Sequence, residues 1–177
     1  GIKSKNQADF PPRLVDSIIN IKKVSCGYNH TAAINLNDEL FTWGHGFYGQ
    51  LGHNDTLTKS EPKKVDHNDT KYRKVRCGAH ITVAIDKRDF CYIWGKGLYN
   101  LNPDPSKHKL IPERVEDLKT IKIASLAVGY QNTIILTQEN ELYAWGDNTD
   151  GKCGVEYNEG NIISKNAKPI IMKDEET

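Results

Sequence analysis

The stretch WGDNTDGKCG, residues 145–154, admits two readings that lead to different architectures. Gly146, Gly151 and Lys152 fall at the G-x-x-x-x-G-K spacing whose amides and lysine cradle nucleotide phosphates, but Cys153 stands where a Ser or Thr hydroxyl would hold magnesium. A working loop of that kind follows a buried strand and opens a helix. The stretch WGHGFYGQLG at residues 43–52 supplies a second copy instead, in which Gln50 matches Lys152 and Leu51 matches Cys153. The segment reads as a repeat turn, not a nucleotide site.

The repeat runs along the whole chain. Trp43, Trp94 and Trp145 stand 51 residues apart (94 − 43, 145 − 94), and Gly27, Gly78 and Gly129 keep the same offset. A period of this size marks an array of one supersecondary unit. The copies read V-S-C-G-Y-N-H-T-A-A-I from Val24, V-R-C-G-A-H-I-T-V-A-I from Val75 and L-A-V-G-Y-Q-N-T-I-I-L from Leu126. Proline stretches open at Pro12, Pro62 and Pro112, with a fourth at Pro169. They divide the chain into an extension (1–11), three units (12–61, 62–111 and 112–168) and the start of a fourth with a tail (169–177).

Within each unit the apolar runs are short and punctuated by Gly, Asn and Asp, which suits strands. In the first unit four are legible: V-S-C before Gly27, T-A-A-I-N-L from Thr31, L-F-T-W up to Trp43, and P-K-K-V from Pro62. The strand after each glycine is apolar at both alternating positions, Ala32, Val83 and Ile134 on one side and Ala33, Ala84 and Ile135 on the other, so it is covered on both faces. Sheets of this kind must stack face to face, and radial repetition does so. The expected fold is therefore all-β: a partial β-propeller of three four-stranded antiparallel blades plus an extra strand. The structural repeat positions are Gly27, His30, Trp43, Gly44, Gly78, Trp94, Gly95, Gly129, Trp145 and Gly146. Their glycines are expected to allow positive φ or close backbone approach where blades meet, and each tryptophan to be partly buried near a blade edge.

No Gly-Gly doublet occurs, against a kelch repeat, and the period is too long for a WD repeat. C-G-x-x-H-T followed by W-G-x-G-x-x-G-Q-L-G, carried in the first unit by Gly27, His30, Thr31, Trp43, Gly44, Gly46, Gly49, Gln50, Leu51 and Gly52, resembles the regulator of chromosome condensation repeat family. The resemblance covers residues 12–172, with drift: Ile81 and Asn132 fill the slot of His30, and NLNP (100–103) replaces GQLG. His30 is accordingly read as structural.

The resemblance implies a seven-bladed propeller used as a platform for protein partners, often within a larger chain. The family's founding branch is a guanine nucleotide exchange factor for the Ran GTPase that also docks on nucleosomes, using a wedge between strands. Here the connections from His53 to Pro62 and from Asn102 to Pro112 are short, the longest (155–168) is polar and Asn-rich, and no exchange residue matches. An interaction module leads, and exchange on a Ran-type small GTPase with chromatin association is the alternative. Seven such units need about 350 residues, so this chain is expected to be part of a larger protein or to self-associate to cover its open blade faces. Gly1 in place of an initiating Met agrees with a piece of a longer chain.

Other features exclude function classes. Net charge is +1, so no sequence-specific nucleic-acid binding is expected. Residues 59–88 hold nine basic against four acidic residues, either a solvated face or a patch for an acidic partner. No apolar run approaches the roughly 18 residues of a membrane-spanning helix, and GIKSKNQADF lacks the apolar centre of a signal peptide. Cys26, Cys77, Cys91 and Cys153 occupy apolar repeat slots and are expected as buried free thiols, hence an intracellular protein of cytoplasm or nucleus. The Asn-x-Thr triplets at Asn29, Asn54 and Asn68 are then chance. No catalytic constellation, metal-ligand spacing or cofactor motif is present, so no enzyme chemistry and no cofactor are expected.

Function then lies where the units differ. His45, Lys96 and Asp147 follow the Trp-Gly pairs directly, and Phe47-Tyr48 and Leu98-Tyr99 come next. These side chains either pack on the next blade or form the partner-binding surface, since aromatic residues are enriched at binding hot spots.

Overall fold

The computed structural model describes residues 12–96, 108–154 and 168–170. Among the described residues, twelve strands build three antiparallel sheets in chain order. The first holds β1 (Ile21–Cys26), β2 (His30–Asn35), β3 (Leu40–Gly44) and β4 (Lys59–Lys64). The second holds β5 (Tyr72–Cys77), β6 (Ile81–Asp86), β7 (Cys91–Gly95) and β8 (Lys109–Arg114). The third holds β9 (Ile123–Val128), β10 (Asn132–Thr137), β11 (Leu142–Gly146) and β12 (Lys168–Ile170). The partial propeller read from the repeat is thus the fold.

Three of the four proline stretches close the sheet ahead of them. Pro62, Pro112 and Pro169 lie in β4, β8 and β12, which pair only with β3, β7 and β11, and an edge strand tolerates a residue without an N–H. This corrects the count of an extra strand: the Pro169 strand completes the third sheet. Residues 12–15 form no ladder, as no strand precedes them among the described residues.

The registers repeat with the sequence. His30 pairs with Gly44, Ile81 with Gly95 and Asn132 with Gly146. The glycine after each tryptophan is obligatory: Gly44 has φ +101°, and a Cβ there would lie 2.6 Å from the Asn29 carbonyl oxygen of its own sheet. Close approach between blades belongs to Gly27, whose Cβ would sit 2.4 Å from the Gly78 oxygen.

The β2–β3 hairpins repeat another device. Asn35 Oδ1, Asp86 Oδ1 and Thr137 Oγ1 each accept the amide four residues on, from Glu39, Phe90 and Glu141, at 2.9, 2.9 and 3.0 Å. The residue before that amide takes positive φ: Asp38 (63°), Asp89 (69°) and Asn140 (64°), types that tolerate the left-handed region. The carbonyls of Asp38 and Asp89 then accept the Tyr72 and Ile123 amides, so each turn anchors the first strand of the next sheet.

Packing follows the period-2 alternation of β6, which is buried throughout. Ala84 faces the first sheet, in a core with Ala32, Ile34, Tyr72 and Trp94. Ile81, Val83 and Ile85 face the third, with Ile123, Ile135 and Trp145. Trp94 and Trp145 pack on the sheets preceding their own, which corrects the expected partial burial: they are 0% and 2% exposed, whereas Trp43, with no sheet ahead of it among the described residues, is half-buried. Trp43 instead borders an apolar hollow with Leu14, Ile19, Ile21, Val24 and Ala33. On the far face of the third sheet Ile134 and Leu136 are half-buried, so both ends of the stack show the expected apolar faces. The first strands lie against one another, with Tyr28 N donating to Gly78 O and Ala79 N to Tyr130 O.

The same end effect corrects one thiol. Cys77, Cys91 and Cys153 are buried, but Cys26 is exposed because no blade among the described residues covers β1 as the first sheet covers Cys77. Burial pushes the Cys77 and Cys91 thiols up to about 12.

Candidate functional site

The Trp-Gly turns and the glycine turns after β1, β5 and β9 share one end of the stack. Backbone bonds tie them together: His45, Lys96 and Asp147 amides donate to the carbonyls of Asn29, His80 and Gln131. The first turn lies over the second sheet. Asn54 N donates to Leu110 O, and Gly52 abuts the Trp94 indole, where a Cβ would lie 2.8 Å from Nε1.

Gln50 is the strut of that turn. Fully buried, it accepts the Tyr48 amide on Oε1 at 2.9 Å and approaches His45 Nδ1 with Nε2 at 3.2 Å, fixing two of the candidate partner-binding residues. Tyr48 then meets His80 at a tilt, with ring centroids 4.5 Å apart and planes at 40°, meets Phe47 edge-on at 5.3 Å and His108 at 5.3 Å, and lies under the Lys96 ammonium at 5.4 Å. The row continues through His80 to Tyr28 (6.2 Å) and from Tyr28 to Tyr130 (5.8 Å), which meet because small Ala79 lies between them in the repeat. Tyr28, Phe47 and Tyr130 are 65%, 59% and 58% exposed. Burial, with Lys96 and His45 nearby, lowers the His80 pKa and favours the neutral ring.

The structure therefore brings His45, Phe47, Tyr48 and Lys96 together. Leu98 and Tyr99 lie outside the described residues. Asp147 is apart: its carboxylate accepts the Thr149 amide (2.9 Å) and hydroxyl (2.5 Å) and pairs with Lys152 Nζ (2.5 Å). With Cys153 N donating to Asn148 Oδ1 (2.9 Å), the phosphate-loop look-alike spends its lysine and these amides on itself. Residue type alone does not mark Tyr28, His80 and Tyr130, although the 51-residue register places Tyr28 and Tyr130 in equivalent slots.

His30 holds blades together. Thr82 Oγ1 donates to Gln50 O at 2.7 Å, so His30 Nε2, 2.9 Å away, must donate to Thr82, which fixes the tautomer. Its Nδ1 is buried with no partner among the described residues, and burial above all lowers its pKa to about 4. Among the described residues no cluster of His, Cys, Asp or Glu converges as metal ligands, and no helix is long and apolar enough to cross a membrane.

Four-stranded antiparallel sheets stacked face to face, with one turn chemistry repeated in each, define a β-propeller repeat protein. Two models of the Regulator of chromosome condensation (RCC1) repeat match, one at residues 37–85 and the other at 21–50 and 123–152. The chain belongs to the RCC1 repeat family. It is 31% identical over 157 residues to the E3 ubiquitin-protein ligase HERC2 of Homo sapiens, covering 85% of this chain and 3% of that protein. It is 34% identical over 139 residues to the Ultraviolet-B receptor UVR8 of Arabidopsis thaliana, covering 77% of this chain and 32% of the receptor. The chain thus spans about a third or less of these relatives. Prp20p from Saccharomyces cerevisiae, whose crystal structure accompanies its binding properties to Gsp1p and histones, superimposes with a TM-score of 0.71 at 21% identity, covering 85% of this chain and 38% of that one.

Proposed function

We propose that the chain is a protein–protein interaction platform, with the aromatic row Tyr28, Tyr130, His80, Tyr48 and Phe47 as its recognition surface and His45 and Lys96 at its side. The carrying observation is that Tyr28, Phe47 and Tyr130 remain more than half exposed while their rings are already ordered against one another. Aromatic side chains held in this way offer apolar area at little entropic cost on binding. Leu98 and Tyr99 extend the proposal by their place in the repeat, whereas Asp147 serves its own turn. Its test is a partner retained by the wild-type chain and lost on Tyr28→Ala and Tyr48→Ala at unchanged melting temperature. Retention by both variants would refute it.

The likeness to Prp20p, a protein described with Gsp1p and histones, supports a second reading as an exchange factor for a Ran-type small GTPase. Labelled nucleotide loaded on Gsp1p should be released faster in the presence of the protein on that reading. An unchanged release rate leaves the platform alone.

A further inference from the structure

The inner edge of the stack carries positive charge that no carboxylate among the described residues neutralises. One register position on the three first strands holds Lys23, Lys74 and Ser125, each 51 residues after the last, and the chain of contacts follows that register. Lys23 Nζ donates to the Arg73 carbonyl at 2.7 Å, and Lys74 Nζ to Ser125 Oγ at 3.1 Å. Arg76, two residues further along β5, donates to the Val75 carbonyl at 2.9 Å. All three cations are thus satisfied by neutral oxygens, and among the described residues none forms an ion pair with a carboxylate. Arg73 beside them pairs with Asp89. Burial, then Arg73, Arg76 and Lys23, lower the Lys74 pKa, as expected for a cation held among cations.

We propose that this inner edge, over β1 and β5, binds an extended acidic segment of a protein partner. Lys74 and Arg76 project from the same side of one strand, about 7 Å apart by strand geometry, and alternate side chains of an extended peptide have that same spacing. Lys23 supplies a third charge from the neighbouring strand. On β9 the positions equivalent to Arg73, Lys74 and Arg76 carry Ala124, Ser125 and Ala127, so no carboxylate competes for the cations and small side chains leave room for a backbone. A carboxylate on every second residue of the guest would meet the β5 cations in turn and relieve their mutual repulsion. This surface is distinct from the aromatic row in its residues and its chemistry, so it stands or falls separately from it.

The test titrates the full chain with a labelled peptide alternating Glu and Ser, against a Lys-Ser counterpart. The Glu peptide should bind, more weakly as salt rises, and the Lys peptide should not. Lys74→Gln and Arg76→Gln should each weaken binding about three- to fivefold. Lys63→Gln on the outer strand β4 removes the same charge and should leave binding unchanged. Because Lys74→Gln removes a repelled cation, its melting temperature should be retained or raised, which separates lost binding from lost folding. Failure of the wild type to bind the Glu peptide, equal weakening by Lys63→Gln, or binding of inorganic pyrophosphate without the peptide would each overturn the assignment.

Discussion

Lys152 Nζ and Asp147 Oδ2 meet at 2.5 Å, in the two repeat positions where Gln50 Nε2 and His45 Nδ1 meet at 3.2 Å in the first unit. One turn is thus braced by a neutral pair and its copy by an ion pair. The lysine that gave the third turn its nucleotide-loop appearance is the substitute for a glutamine strut. Both versions hold the residue after Trp-Gly against the middle of the turn.

If so, the pairs should exchange as units. Burial raises the Asp147 carboxyl, but Lys152 and the Thr149 hydroxyl and amide outweigh it and hold the group at about 2. A carboxylate so depressed contributes stability above its unfolded pKa near 4 and loses it as pH falls towards 2. Lys152→Gln should cost about 1–2 kcal/mol at pH 7, discounted for the partly exposed lysine, and should diminish that acid loss. Asp147→His combined with Lys152→Gln should recover part of the loss. A double-mutant cycle by urea denaturation reads the coupling, and additive losses would refute the exchange.

His30 makes a second pH-dependent term. Its folded pKa of about 4 lies below the ordinary 6.5, so between these values the unfolded chain binds more protons than the folded one. Its contribution is complete above pH 6.5 and is lost as pH falls towards 4, by up to about 3 kcal/mol. Unfolding free energies measured across this window should show that slope in the wild type and a flatter one in His30→Gln. Equal slopes would remove His30 as its source.

How far these features were legible depends on whether they repeat. The strands, the stacking and the obligatory Trp-Gly glycines follow from residues recurring every 51 positions, since one register serves all three sheets. The caps at Asn35, Asp86 and Thr137 also recur, but through three residue types sharing only an acceptor oxygen, which residue identity hides. What periodicity cannot show is the end of the array: Cys26 and Trp43 are exposed or half-buried where Cys77 and Trp94 are buried, because the covering blade differs and not the residue. The aromatic row was half legible for a similar reason. Phe47 and Tyr48 stand out as variable turn residues, whereas Tyr28 and Tyr130 join them only through the small Ala79 between their slots.

The two threonines that follow the histidine slot should respond oppositely to the same change. Thr82 Oγ1 bonds both His30 and Gln50, while Thr133 Oγ1 is buried with no partner among the described residues, where Ile81 fills the histidine slot facing it. Thr82→Val should cost about 1–3 kcal/mol by stranding the His30 donor and the Gln50 acceptor. Thr133→Val removes an unsatisfied hydroxyl and should be neutral or stabilising. Chemical denaturation of both variants decides, and a matching loss at Thr133 would mean that its hydroxyl is bonded after all.

The tryptophans separate the contribution of blade stacking from that of the sheet itself. Trp94 fills the core between the first and second sheets at 0% exposure, with Ala32, Ile34 and Tyr72 in the same cluster, so truncation leaves a cavity the stacked strands cannot close. Trp94→Ala should therefore cost about 3–5 kcal/mol. Trp43 holds the same place in its own sheet but faces the open hollow beside Ile21 and Val24, so Trp43→Ala forfeits only partial burial and should cost about 1–2 kcal/mol. Since the two residues share a register position and strand pairing, the difference measures what a neighbouring blade adds. Urea unfolding of the two variants gives that difference directly. Equal costs would mean that Trp43 is covered in solution, by a further blade or a second copy seated on the hollow.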